Sequence, residues 1–314
     1  MKNFHTISYV LHGSTHKLDD NNELSEIQHS WLRTDTVDYW RHYRMCTPII
    51  PIAKLNPDSS WLTVGDGGFG LDSIRLKSFE PSITVLPTDL STPLLEKAKQ
   101  LGLIENYKME NAEELSFADN SFDFSFCKES MHHFPRPFIA IYEMMRVARK
   151  GVILIEPFDS EQKTIYLKLF SVMKNILKKL TGKKIIHHDS FRFEESGNYV
   201  YTISEREIEK VAIGLQLPMI GFYSFNDFYL KGVEFEEAMQ ASPLFRKIKF
   251  KIHLQNFLCS IGLSTFNQIV AILFKEIPSE ALINSLRKVG VRLVKLPENP
   301  YLKDAMKKIR SELE

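Results

Sequence analysis

Cysteine is scarce in this chain of 314 residues: only Cys46, Cys127 and Cys259 occur, and they are far apart. That excludes a disulfide framework or a zinc knuckle and suits a reducing compartment. Long apolar runs are absent as well. None approaches the ~20 residues of a membrane-spanning helix. The first residues, with His5 and His12 among polar neighbours, lack the apolar core of a secretory signal. A cytoplasmic protein without stable membrane insertion is therefore expected. Charge of one sign is missing too, because 40 Lys and Arg against 39 Asp and Glu leave a formal net charge of +1. With no global positive field and no basic motif spaced with aromatics, a nucleic-acid partner is not expected. Neither an internal repeat nor a low-complexity stretch occurs. What is present is a globular composition, 44% hydrophobic and 25% charged, in a length that accommodates one large domain with a cap.

Residues 1–22 are polar and are expected to be loosely ordered. From residue 23 to about 53 the pattern reads as helix, carrying Trp31, Tyr39, Trp40 and Tyr43, and Pro48 and Pro51 break it. Short strand-like runs at 60–64, 83–86, 107–110, 122–126 and 152–156 then alternate with helical stretches at 71–78, 93–101 and 139–148. Strands that are continuously apolar and separated by helices indicate a parallel sheet covered on both faces. After Pro157 a long helix at 161–180 places Ile165, Leu169, Val172, Met173, Ile176 and Leu180 on one face, beside many lysines. Ser204 and Glu207 form a capping box for a further helix, and 218–225 and 267–274 supply two more strands. Lys247, Lys249 and Lys251 alternate with Ile248, Phe250 and Ile252, which reads as an exposed strand. The expected fold is α/β, a Rossmann-like, doubly wound, mainly parallel sheet with a helical N-terminal entry segment and an inserted cap. Its parts are a polar arm and entry helix over 1–54, a cofactor-binding core over 55–157, the cap over 158–202, completion of the sheet over 203–276, and a helical tail over 277–314.

Directly after the run at 60–64 stands the turn Gly65-Asp66-Gly67-Gly68-Phe69-Gly70. Glycines let backbone approach a ligand closely, and the following helix start offers unpaired N–H groups. Asp89 follows the second run, where a carboxylate can accept from both hydroxyls of a ribose. The turn and this acid fit NAD and S-adenosylmethionine equally well.

The segments downstream separate the two. Asn111-Ala112-Glu113-Glu114-Leu115 leads through Phe122-Asp123 into Phe126-Cys127-Lys128-Glu129-Ser130-Met131-His132-His133-Phe134. Met144-Met145-Arg146-Val147-Ala148-Arg149-Lys150-Gly151 then precedes the run ending Ile155-Glu156-Pro157. In this order and spacing the set resembles the class I S-adenosylmethionine-dependent methyltransferase family, in its small-molecule subgroup, over about residues 55–160. The resemblance implies S-adenosylmethionine as cofactor, with S-adenosylhomocysteine as product. It places Gly65, Asp66 and Gly67 beside the methionine part, Asp89 on the ribose and Leu90 beside the adenine. Asn111 would accept from the adenine amino group and Ala112 would donate its backbone N–H, while Cys127 and Lys128 would line the methionine end. Two positions depart from the family pattern. Thr63 stands where an acid is usual, and the third glycine position holds Phe69. Asp66 is then the candidate partner for the cofactor ammonium, and Arg41 or Arg44 the candidate for its carboxylate, unless these arginines are simply solvated.

Methyl transfer needs an aligned, dry acceptor and a base where the acceptor carries a proton. His133, His132 and Glu129 are the candidate catalytic residues, with His133 first and Glu156 behind them. No metal site is expected, since the adjacent His187, His188 and Asp189 read as a polar turn. The expected partner is a small-molecule acceptor, methylated on oxygen or nitrogen, anionic or sugar-containing. A non-catalytic cofactor-binding protein and a nicotinamide oxidoreductase are the competing readings.

Overall fold

The computed structural model describes residues 2–13, 18, 23–159, 193 and 199–301. The helix expected at 161–180, most of the cap and the 187–189 turn lie outside the described residues.

Eight strands form one sheet in the order β3-β2-β1-β4-β5-β7-β6-β8. They are β1 Ser60–Val64, β2 Thr84–Asp89, β3 Lys108–Met109, β4 Phe122–Lys128, β5 Ala148–Pro157, β6 Met219–Phe225, β7 Gln268–Phe274 and β8 Arg292–Lys295. The first five are parallel, with Leu62 facing Leu86 on one side and Ser125 on the other. β7 runs antiparallel to both β5 and β6, and β8 antiparallel to β6. The expected mainly parallel, Rossmann-like sheet is thus present.

Side-chain alternation along the strands explains the two cores. Leu62, Val64, Val152 and Leu154 point to one face, where helices α7 Pro137–Val147 and α8 Glu205–Gly214 bring Ile141, Met144, Ile208 and Ala212. Trp61, Phe124, Phe126, Ile153 and Ile155 point to the other, against Ile49, Ile52, Leu76 and Leu286. Both faces are covered, so the central strands are apolar at nearly every position.

The N-terminal segment departs from expectation. Within 1–22, residues Lys2–His12 form helix α1. The single entry helix is divided into α2 Glu26–Trp31, α3 Val37–Cys46, a 3-10 turn Thr47–Ile49 and α4 Ile50–Lys54. Ser25 and Thr36 accept from the backbone N–H groups of Gln28 and Tyr39, and these caps start α2 and α3 as separate elements.

The lysine alternation at 247–252 is a second correction. It lies in helix α9 Pro243–Ser260, not in a strand, because Phe245, Ile248 and Ile252 recur at helical spacing and are the buried positions. The helical tail expected over 277–314 contains helix α10 Glu280–Lys288, and beyond it β8 adds an edge strand.

The crossovers reverse direction between β1 and β4, which opens a crevice at the C-terminal ends of these strands. Helices α5 Leu71–Phe79 and α6 Pro93–Gln100 complete the covering of β1 and β2.

Candidate active site

A cavity of about 620 Å³ occupies that crevice. Its floor is the β1–α5 turn and the ends of β2 and β4, and α1, α2 and α3 contribute Tyr9, Trp31, Tyr39 and His42 to its walls. The volume is in the range of small-ligand sites.

The turn after β1 is built by backbone conformation. Gly65 adopts φ +76°, and a Cβ there would stand 2.4 Å from Ser130 Cβ. Phe69, at the family's third glycine position, takes φ 61°, the left-handed conformation glycine adopts readily. Its ring is fully buried with Leu94 and Ala98, which offsets a backbone cost of about 1–2 kcal/mol. Gly68 lines the cavity, and a Cβ added to it would meet no atom within 4 Å.

Asp66 holds this turn from below. Its carboxylate accepts from the backbone N–H groups of Asp72 (3.1 Å) and Ser73 (3.0 Å) and from the hydroxyls of Ser73 and Thr63 (both 2.8 Å). Burial and the nearby Asp72 carboxylate push its pKa up to about 7. Thr63 is therefore a partner of Asp66, and the departure from an acid at 63 is compensated three residues later. Arg41 and Arg44 do not reach the cavity. Both bind Asp227, and Arg41 also donates to Asp38 at 2.8 Å. The cations that line the cavity are Arg33, Lys128 and Arg75 of α5; Arg75 donates to Asp72 at 2.7 Å and has a buried Nε without a hydrogen-bond partner.

Asp89 ends β2 with one carboxylate oxygen on the N–H of Gly67 (3.0 Å) and the other on that of Ser91 (2.7 Å). Asn111 Oδ1 accepts from Glu113 N–H at 3.0 Å, an Asx turn that aligns the next peptides. Glu113 accepts from Tyr9 of α1 at 2.7 Å and from Arg136 N–H at 2.7 Å, so α1 is fastened beside the cavity wall at Asn111.

At the end of β4 the chain turns sharply, with Glu129 at φ 49°. Lys128 and Glu129 line the cavity. Burial alone would lower the Lys128 pKa, but Asp72, whose Oδ1 lies 3.3 Å from Nζ, and Glu129 outweigh it and raise it. Glu129 has its pKa raised, mainly by burial, against the opposing pull of Lys128. His42 Nδ1 lies 3.5 Å from Glu129 Oε2 and has no hydrogen-bond partner. Burial first, then Lys128, Arg75 and Arg41, push the His42 pKa well below its ordinary value, so its ring is neutral.

The two histidines after β4 divide. His133 lines the cavity, whereas His132 Nδ1 lies 2.7 Å from Glu156 Oε2. Glu156 is wholly buried and also accepts from the backbone N–H groups of Ser130 (3.1 Å) and Met131 (2.9 Å). It is an internal anchor for the 128–133 turn. Glu156→Gln is expected to destabilise the protein by about 1.5–3 kcal/mol through loss of charge-assisted hydrogen bonds. Urea denaturation measures it, and an unchanged midpoint would contradict the anchor.

Of the residues singled out in the sequence, the cavity wall gathers Gly65, Asp66, Asp89, Leu90, Asn111, Ala112, Lys128, Glu129 and His133. Gly67, Cys127 and His132 stand behind it. Sequence reasoning missed Tyr9, Asp38, His42 and Arg75; Asp38 and His42, four apart on an aromatic-rich helix, were the available signal. Among the described residues no group of three or more His, Cys, Asp and Glu side chains is arranged to hold a metal. No helix among them is long and apolar enough to cross a membrane.

The cavity thus presents the Asp89 carboxylate and the Gly68 turn on the same wall as the Arg75 guanidinium. Residues 62–155 match the family model described as a methyltransferase domain. No curated protein matches the chain. Among solved structures, the chain is similar to the YcgJ protein of Bacillus subtilis, at 18% identity and TM-score 0.48, covering 76% of this chain and 100% of that one. A SAM-dependent methyltransferase of Methanosarcina mazei aligns at 18% identity and TM-score 0.42, over 71% of this chain and 95% of the other. Phosphoethanolamine N-methyltransferase 2 of Haemonchus contortus, solved with S-adenosyl-L-methionine, aligns at 14% identity and TM-score 0.45, over 81% and 61%. Residues 62–155 thus match a methyltransferase domain, set in a Rossmann-like mixed α/β fold.

Proposed function

We propose that this protein moves a methyl group to an oxygen or nitrogen of a small molecule held between α3 and the C-terminal end of β4. The observation that carries the reading is the single cavity wall joining Asp89, the Gly68 turn, Arg75 and Glu129. Bound S-adenosylmethionine supplies an electrophilic methyl group on a sulfonium.

In this reading Asp89 accepts from both ribose hydroxyls, and Leu90 packs beside the adenine. Asn111 accepts from the adenine amino group through its remaining lone pair, while the backbone of Ala112 faces the ring. Gly65, Asp66, Gly67, Cys127 and Lys128 shape the methionine end, and Arg75 receives the carboxylate there. Glu129 takes the proton from the acceptor. Burial makes Glu129 a stronger base than an ordinary carboxylate, and it lines the cavity beside His42; His133, with His132 behind it, is the second candidate. Trp31 and Tyr39 offer ring faces and Asp38 an acceptor, a combination that suits a saccharide hydroxyl. The reading is that of a cytoplasmic enzyme.

Asp89→Ala tests the cofactor half of this reading. It should raise the dissociation constant of S-adenosylhomocysteine by about 10- to 150-fold, equivalent to the roughly 1.5–3 kcal/mol of charge-assisted hydrogen bonds. Calorimetry reads this directly, and an unchanged constant would remove Asp89 from the site. The acceptor half is tested by screening amines and sugars for S-adenosylhomocysteine release. Turnover of none of them, with cofactor binding intact, would favour a binding protein.

A further inference from the structure

Helix α9 has two apolar faces. Phe245, Ile248 and Ile252 are buried with Val37 and Val233, and Trp40 of α3 packs edge-on against Phe245 with ring centroids 4.9 Å apart. Phe250, Leu254, Phe257 and Ile261 follow one another at four, three and four residues, the spacing of a single helix face. They are 66%, 46%, 59% and 51% exposed. At about 100° per residue this second face lies opposite the buried one. Leu263, just past the helix end, is also exposed.

The charges around this stripe are ordered. The same helical geometry puts Arg246 and His253 along one edge and Lys247 and Lys251 along the other. No acidic residue occurs between Glu237 and Glu276, although the whole chain is nearly neutral. An exposed apolar stripe with two bulky aromatics, bordered by cations and without one carboxylate, is unlike a merely solvated helix face. It matches the pattern of helices that lie in the plane of a lipid–water interface.

We propose that this face of α9 docks the protein peripherally on an anionic lipid bilayer. Phe250, Leu254, Phe257 and Ile261 enter the boundary between headgroups and acyl chains, while Arg246, Lys247 and Lys251 meet anionic headgroups. A second copy of the chain is a poorer occupant, because it would bring the same cations face to face. An apolar protein groove would leave the bordering cations without partners. The buried face of α9 rests on α3, whose Tyr39 and His42 line the cavity, so a docked surface would lie one helix away from the proposed acceptor position.

The test is co-sedimentation of the full chain with vesicles of phosphatidylcholine alone and of phosphatidylcholine with phosphatidylglycerol. Binding is expected only to the anionic vesicles and should weaken as salt is added. Phe250→Ser with Phe257→Ser should lower it more than tenfold. Lys247→Glu with Lys251→Glu should lower it by at least roughly fivefold per residue. Both double variants should keep the wild-type thermal midpoint and affinity for S-adenosylhomocysteine, since none of these side chains is buried or lines the cavity. Equal binding to neutral vesicles, no vesicle binding, or unchanged binding by the phenylalanine variant would overturn the proposal. So would dimerisation through this face in sedimentation velocity, or binding to polyglutamate but not to anionic vesicles. Loss of cofactor affinity in the wild type would instead bear on the methyltransferase reading and leave the vesicle result standing.

Discussion

Gly65→Ala should destabilise the protein by roughly 2–5 kcal/mol and abolish binding of S-adenosylhomocysteine. Two costs combine. The left-handed φ of +76° is disfavoured for alanine by about 1–2 kcal/mol. Overpacking adds about 1–3 kcal/mol, because the new methyl would stand 2.4 Å from Ser130 Cβ and 2.9 Å from its Oγ. Ser130 has little room to withdraw. Its hydroxyl donates to the Gly65 carbonyl at 2.6 Å, and its N–H is held by Glu156 at 3.1 Å. Any retreat would carry the 128–133 turn with it, and with it Glu129 and His133. Urea denaturation and calorimetry measure the two effects. Gly68→Ala is the internal control: with no atom within 4 Å of its added methyl, it should leave stability unchanged while weakening cofactor binding. A Gly65→Ala protein that folds and binds normally would show that the turn and Ser130 are not in contact.

Glu129→Gln should lower kcat at least about 100-fold, the usual contribution of a positioned base, with the affinity for S-adenosylhomocysteine changed less than about twofold. The pH dependence gives the sharper signature. A carboxylate base works in its deprotonated form, so activity rises with pH through its pKa. Burial raises that pKa in Glu129, and the rising limb of kcat/KM should therefore lie above the ordinary carboxylate range. Glu129→Gln should remove this limb, with turnover measured on the acceptor found by the screen. His133→Ala should leave the limb in place and lower kcat less. An unchanged limb in Glu129→Gln, together with its loss in His133→Ala, would reverse the assignment.

Strands β1, β4, β5 and β7 were legible in the sequence because both faces of the sheet are buried there, which writes them as nearly continuous apolar runs, whereas both residues of β3, Lys108 and Met109, are exposed. Asp89 was legible for a related reason: it ends the second run at the sheet edge where such folds bind ligands. The α9 segment misled because Lys247 to Ile252 satisfies a two-residue alternation locally. Only the buried set Phe245, Ile248 and Ile252 reveals the helical period. Arg41 and Arg44 were drawn toward the cofactor by position in the chain, but their partner, Asp227, lies almost two hundred positions away. No local pattern reports a pairing at that separation. The same limit hid the approach of His42 to Glu129 and of Lys128 to Asp72, which depends on α3 and α5 converging on the end of β4. The compensation of Thr63 by Asp66 was legible only in part. The sequence shows a carboxylate three residues on, and the fold shows that it turns inward to hold the start of α5.

The most direct test of the central claim is a calorimetric titration of the full chain with S-adenosylhomocysteine, S-adenosylmethionine and NAD in turn. Saturable one-to-one binding of the first two, and none of NAD, is the expected result. Preference for NAD, or binding of neither sulfur-containing ligand, would contradict the assignment of the cavity above Asp89.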